Sequence, residues 1–181
     1  MKNTHLIAAA GALVWLTGCA SSPPVVVLTP VGPAPAGRAM TSHQGYLQVY
    51  SARFKEPVES NFLEWQPDYD FTAAPFFYDL AHSDYVIRKE DGSLLKNVRN
   101  ARNLADPDPV LVTLPPGRYK IEAEAEEAGG RTVKVELPVL VEHGKTTVVH
   151  LSGNWRPRAH FTDADVVRLP DGQIAGWLAR Q

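Results

Sequence analysis

The sequence predicts an all-β protein built as a single antiparallel β-sandwich. From Tyr46 onward, apolar and polar residues alternate with period two, the pattern that strands produce because successive side chains point to opposite faces. Turn sequences rich in Gly, Pro and Asp recur about every ten residues, as is typical of sandwiches. No long window shows helical periodicity. Hydrophobic residues make up 44% of the 181-residue chain, which suits a globular core.

The clearest strand pair surrounds the turn Ala128-Gly129-Gly130. Residues 119–126 alternate Tyr, Ile and Ala with Lys and Glu, and residues 132–137 resume the alternation. Two alternating runs around a Gly-Gly turn predict an antiparallel hairpin. Lys134 should face the acidic row there, in a cross-strand contact worth up to about 1 kcal/mol.

Further turns predict the remaining strands. Residues 84–89 and 93–99 flank a turn at Gly92, residues 110–114 end at Pro115-Pro116-Gly117, and residues 139–143 and 145–151 flank Gly144. Residues 165–169 and 173–177 flank Pro170-Asp171-Gly172, which predicts a C-terminal hairpin extension. A lone hairpin is only marginally stable in water, so we expect it to pack on the sandwich with Trp177 as its anchor.

The N-terminal part predicts export and a spacer. Residues 1–18 have the short charged head and apolar run of a secretory signal peptide, and the run is too short to remain as a membrane span. Residues 19–44 contain five prolines and predict an extended linker that reaches about 75 Å. The strand-forming residues 25–28 leave docking on a sheet edge as the alternative. The sandwich is then residues 45–153, followed by the C-terminal extension, residues 154–181.

The motif Leu16-Thr17-Gly18-Cys19 resembles the lipobox of bacterial lipoprotein precursors. The resemblance implies cleavage before Cys19, acylation of that residue and stable anchoring by its lipid chains. The following Ala20 implies the outer rather than the inner membrane of the cell envelope. Because Cys19 is the only cysteine, the lipidated chain would have no thiol left for a disulfide.

Three stretches of the middle of the chain resemble the carboxypeptidase regulatory-like and Cna type B modules. They are residues 84–92, beginning Asp-Tyr-Val-Ile, residues 112–119 with the Pro-Pro-Gly-Arg-Tyr bend, and the closing strand, residues 144–151. The resemblance implies an immunoglobulin-like or transthyretin-like sandwich. It implies little about function, because such sandwiches have many roles.

Composition and motifs argue against catalysis and against nucleic-acid binding. The 18 basic and 20 acidic residues give a net charge of −2, unlike a strongly basic nucleic-acid binder. Neither G-x-S-x-G nor H-E-x-x-H occurs, and the S-x-x-K match that begins at Ser93 falls on a predicted strand rather than at a helix start. The histidines lack the close spacing of a helical metal site. We therefore predict no enzymatic activity, no catalytic residue, no cofactor and no metal.

Two aromatic segments and one loop histidine form the candidate surface for a ligand or partner. Aromatic faces beside charged groups suit sugar rings or a protein surface, although such rings also cap cores. We predict a structural or adaptor protein that binds another envelope component, with binding of peptidoglycan or another polysaccharide as the alternative. The candidate residues are Phe76, Tyr78, His82, Trp155, Arg156, Arg158 and His160.

Overall fold

The all-β prediction is confirmed. The computed structural model describes residues 24–35, 41–53, 81–100, 108–153 and 155–180, and within them the chain forms strands and one 3₁₀ helix, Asp163–Asp165, with no α-helix. The strands are β1 (Val26–Val27), β2 (Val31–Gly32), β3 (Gly45–Tyr50), β4 (Tyr85–Lys89), β5 (Leu94–Val98), β6 (Val112–Leu114), β7 (Gly117–Glu127), β8 (Arg131–Val141), β9 (Thr146–His150), β10 (Val166–Arg168) and β11 (Ile174–Leu178).

The strands form two sheets. The larger has the order β10-β11-β2-β8-β7-β4-β5, with β1 also paired to β8, and the smaller has the order β6-β3-β9. The long hairpin of β7 and β8 is the predicted one, with Glu124 opposite Lys134. Strands β1 and β2 run parallel to β8, and β3 runs parallel to β9, so both sheets are mixed rather than purely antiparallel.

The core lies between the two sheets, because alternate side chains of their strands point inward. Ile121 of β7 and Leu137 of β8 are fully buried against Leu47 and Val149 of the smaller sheet. Burial of each such side chain stabilises the fold by about 1.5–3 kcal/mol. The alternate positions carry charge, as in the outward ion pair of Lys120 with Glu136.

After β8 the chain leaves the larger sheet, and the next strand, β9, belongs to the smaller sheet. After the turn at Gly144, where φ is +65°, the chain crosses to the smaller sheet and β9 pairs with β3. The crossing buries Thr147 and Val149, and the Thr147 hydroxyl donates a hydrogen bond to the Leu140 carbonyl at 2.5 Å. Residues 146–150 therefore pair with β3 and bury one face in the core.

The linker expectation is corrected for residues 24–35. This segment lies in the larger sheet: Val26 is opposite Val135, and Val31 is opposite Val139 and 0% exposed. The alternative expectation, that the valine-rich residues dock on a sheet, holds for this segment, because its valines complete the core beside β8. The proposed boundary at residue 45 therefore falls inside the sandwich and not at its start.

The predicted C-terminal hairpin is present, and it packs on the sandwich. Strand β11 pairs with β10 and with β2, and the Asp171 carboxylate of the turn accepts a hydrogen bond from the Ala128 amide at 2.6 Å. Its most buried side chains include Leu169, at 3% exposed, and Ala175, at 0%. Trp177 is only half-buried and meets Phe161 edge-on, so the expectation that it is the main anchor is wrong.

The predicted signal peptide and Cys19 lie outside the described residues. In the described part of the chain, no helix has the length and apolar character needed to cross a bilayer.

Candidate functional site

One end of the sandwich collects the polar and aromatic side chains of interest. The parallel strands β3 and β9 finish there side by side, with Tyr50 opposite His150. The loop before β4 arrives at the same end, where His82 pairs with Arg53 through an isolated bridge. Strands β5 and β7 also finish at this end, and β1, β4 and β8 begin at it. We call it the ladder end, because four rings that contact one another in series lie there.

Four rings from three parts of the chain contact one another in series, and we call them the ring ladder. The His82 ring meets Tyr50 edge-on with centroids 5.3 Å apart. The Tyr50 ring stacks on His150 at 4.8 Å. His150 in turn stacks on Trp155 at 4.1 Å, with only 11° between the planes. The order His82, Tyr50, His150 and Trp155 leads from the interior to the edge of the molecule.

Burial keeps two members of the ladder uncharged at neutral pH. Desolvation, and to a smaller extent the electrostatic effect of the nearby His82, lowers the pKa of His150 from its ordinary 6.5 to about 4. The pKa of the Tyr50 hydroxyl is raised, first by burial and then by the neighbouring Asp108 carboxylate. Both rings therefore stack as neutral aromatic groups.

Hydrogen bonds among buried polar groups hold the inner part of the ladder in place. His82 Nδ1 donates to the Ser51 carbonyl at 2.6 Å, since a carbonyl only accepts. The Ser51 hydroxyl and the Asn100 amide group both donate to the Ser83 carbonyl, at 2.6 and 2.8 Å. These hydrogen bonds fix three loops together.

The exposed edge of the ladder includes the candidate residues from Trp155 to His160. Trp155 is half-buried against His150, and Arg156, Arg158 and His160 beyond it are exposed. His82, by contrast, is 2% exposed, so its expected place on a surface is corrected: it packs under Tyr50 where the loops converge.

Phe76 and Tyr78 lie outside the described residues. The described residues on either side of them, Arg53 and Ala81, lie at the ladder end.

Sequence reasoning missed Tyr50 and His150, the two central rings. They are the final residues of the observed strands β3 and β9, and nothing in the local sequence distinguishes them from other alternate positions. Their contact depends on the parallel register that sets Tyr50 opposite His150. A rule that examines aromatic residues at strand ends would have found them as candidates but could not have paired them.

An open groove of about 770 Å³ runs beside the ladder end on the outer face of the larger sheet. Its lining mixes both signs of charge, with Asp84 and Glu124 against Lys134, next to the apolar Val25. The mixed lining gives this groove no single charge preference for a ligand.

Across the described ranges, no group of three or more His, Cys, Asp or Glu side chains is placed to hold a metal ion. Comparison of the chain with protein-family models, with curated proteins and with solved structures finds no match.

Proposed function

We propose that this chain is a lipid-anchored envelope protein whose β-sandwich acts as a non-enzymatic adaptor that binds another envelope component at the ladder end. The observation that carries the proposal is the ring ladder, which ends in the half-buried Trp155 beside exposed Arg156 and Arg158. The lipobox-like Leu16-Thr17-Gly18-Cys19 supports the anchor, and Ala20 supports the outer membrane as its location.

The ladder suits recognition because its edge is already ordered. His150 holds the Trp155 ring by stacking, so little side-chain freedom remains to be lost when a partner binds. Trp and Arg are also the residue types most enriched among the side chains that dominate binding energy. A protein partner with a complementary pocket for Trp155 is therefore the partner we expect.

Glycan binding is the second candidate, and one geometric feature favours it. Trp155 presents a planar ring that is supported on one side by His150 at 11° between planes. Sugar rings pack on such flat aromatic surfaces, and the exposed Arg156 and Arg158 supply hydrogen-bond donors nearby. Peptidoglycan or another envelope polysaccharide is the glycan class that this candidate implies.

Cross-linking in intact cells tests the proposal. The wild type should yield a cross-linked partner, and Trp155→Ala should weaken its recovery at least tenfold, since loss of a central binding residue costs about 2 kcal/mol or more. Arg156→Ala should weaken it less. Arg118→Ala is the matched control, because Arg118 is an exposed arginine at the opposite end of β7, and it should behave as the wild type.

Two further arms separate failure to bind from failure to fold. Trp155→Phe keeps a stacking ring and should retain most of the binding, and melting curves of all variants report their folding. Purified cell-wall fragments incubated with the protein distinguish the two candidates, because recovery on glycan alone favours the second. If Trp155→Ala, Arg118→Ala and the wild type recover the partner equally, both candidate functions are contradicted.

A further inference from the structure

We infer that the ladder end of the sandwich faces the bilayer that holds the Cys19 lipids and is kept within about 20 Å of it. This orientation rests on the proposed lipid anchor. It follows from where β1 joins the larger sheet, from how that entry point is fixed there, and from how few residues separate it from Cys19.

The chain enters the sandwich at the ladder end. Strand β1 runs parallel to β8, with Val26 opposite Val135, the fifth residue of β8, at the level where β4 begins. Val25, immediately before β1, lines the same groove as Ser83 and Asp84, the two residues that follow His82. The entry point and the ring ladder are therefore neighbours at one end of the fold.

The entry point is fixed to the body of the sandwich. Val26 packs against the core, and the Leu28 amide donates to the Glu136 carbonyl at 2.9 Å. Val31, a few residues on, is completely buried. The segment that sequence reasoning assigned to a free linker is thus part of the folded domain, and it cannot lengthen the tether.

The remaining tether is short. Only residues 20–25 separate Cys19 from the entry point, and a fully extended chain of that length spans about 22 Å. The linker reach of about 75 Å that the sequence predicts would require all of residues 19–44 to be free of the sandwich. The turn at Gly92 lies at the other end of the sandwich, because it follows Lys89, which is opposite Tyr119 near the start of β7. The turn at Ala128 follows the last residue of β7, so roughly 30 Å, about the length of β7, separates the two turns.

The orientation defines which partners can reach the ladder. A partner must meet Trp155 and its arginines in the narrow zone next to the anchoring bilayer, so we infer that the partner is a protein embedded in that membrane. Aromatic and basic side chains at this level match the composition that proteins present to membrane interfaces.

Distance measurements on the lipidated full chain test the orientation. Cys19 is the only cysteine and is acylated in the proposed form, so Ala128→Cys and Glu90→Cys each introduce a unique thiol for a donor dye. Both sites are exposed, one beside the ladder end and one at the opposite turn. The labelled proteins are placed in phosphatidylethanolamine and phosphatidylglycerol vesicles that carry an acceptor dye on their headgroups.

The dye at position 128 should lie closer to the bilayer than the dye at position 90, by up to about 30 Å. Insertion of about ten Gly and Ser residues after Ser22 adds roughly 17 Å of flexible reach and should reduce the difference. Equal transfer from both sites, or stronger transfer from position 90, would overturn the orientation. An unchanged difference in the spacer variant would also overturn it, because the tether would then not be its cause.

Intact mass separates failure of the orientation from failure of the anchor. A protein that carries acyl chains yet gives equal transfer contradicts the orientation alone. A protein without acyl chains contradicts the proposed anchoring, and the orientation falls with it. Melting curves that match the wild type confirm that neither label nor spacer disturbs the fold.

Discussion

The depressed pKa of His150 predicts that the fold loses stability in mild acid. In the unfolded chain this imidazole has its ordinary pKa of 6.5, whereas burial beside Tyr50 and Trp155 lowers the pKa to about 4 in the folded protein. Between these pH values the unfolded chain binds a proton that the folded chain does not. The free energy of unfolding is therefore unaffected by this group above pH 6.5 and falls as the pH drops towards 4.

The magnitude follows from the separation of the two pKa values. Each pKa unit is worth about 1.4 kcal/mol, so the complete effect below pH 4 is about 3.5 kcal/mol. Between pH 7.5 and pH 5 the loss should be about 2 kcal/mol. That is a large part of the 5–15 kcal/mol by which domains are typically stable.

Urea unfolding of the wild type and of His150→Phe at the two pH values measures the effect. Phenylalanine keeps a ring in the stack but cannot bind a proton, so the variant should lose about 2 kcal/mol less than the wild type on acidification. His143→Phe is the matched control, since His143 is exposed, and it should follow the wild type. If His150→Phe and the wild type lose equal stability, His150 does not titrate as its burial requires.

Three further predictions concern the core, a close backbone contact and the anchor. Leu169→Ala should lower the free energy of unfolding by about 2–5 kcal/mol, because Leu169 is 3% exposed. Pro170→Ala in the exposed turn should change it little. Equal urea midpoints for the two variants would show that the hairpin does not pack as described. Gly45→Ala should lower the free energy of unfolding by about 1–3 kcal/mol, since a Cβ there meets the Glu142 carbonyl and the Val141 side chain. Gly117→Ala is the control, because a Cβ there meets nothing closer than 3.6 Å. Similar melting temperatures for the two variants would contradict the close contact at Gly45. Cys19→Ser should abolish incorporation of labelled fatty acid and release the protein from membranes; lipid label retained by the variant would refute the lipobox.

Local sequence determined the strand content and several of the turns. The alternation in residues 119–126 and 132–137 repeats with the pleat of a strand, so it identifies both the strand and its buried face without any partner. Gly129 and Gly130 mark the turn between them because both adopt positive φ, at 94° and 76°, which other residues rarely do. The C-terminal hairpin was predictable from its turn, where Gly172 also has a positive φ of 89°, and its packing from the marginal stability of a lone hairpin, although its buried side chains were not.

Tertiary structure alone decided which strands that lie far apart in the sequence became neighbours. The short strands at Val26 and Val31 join β8 because their valines fill the core there, although their proline-rich surroundings favour an extended chain. Strand β9 crosses to β3, and that register alone brings Tyr50 against His150 and so creates the ring ladder. Sequence periodicity specifies which face of a strand is apolar, but the surface that covers this face belongs to residues far away in the chain. The pairing, and with it the candidate site, therefore depends on the complete fold.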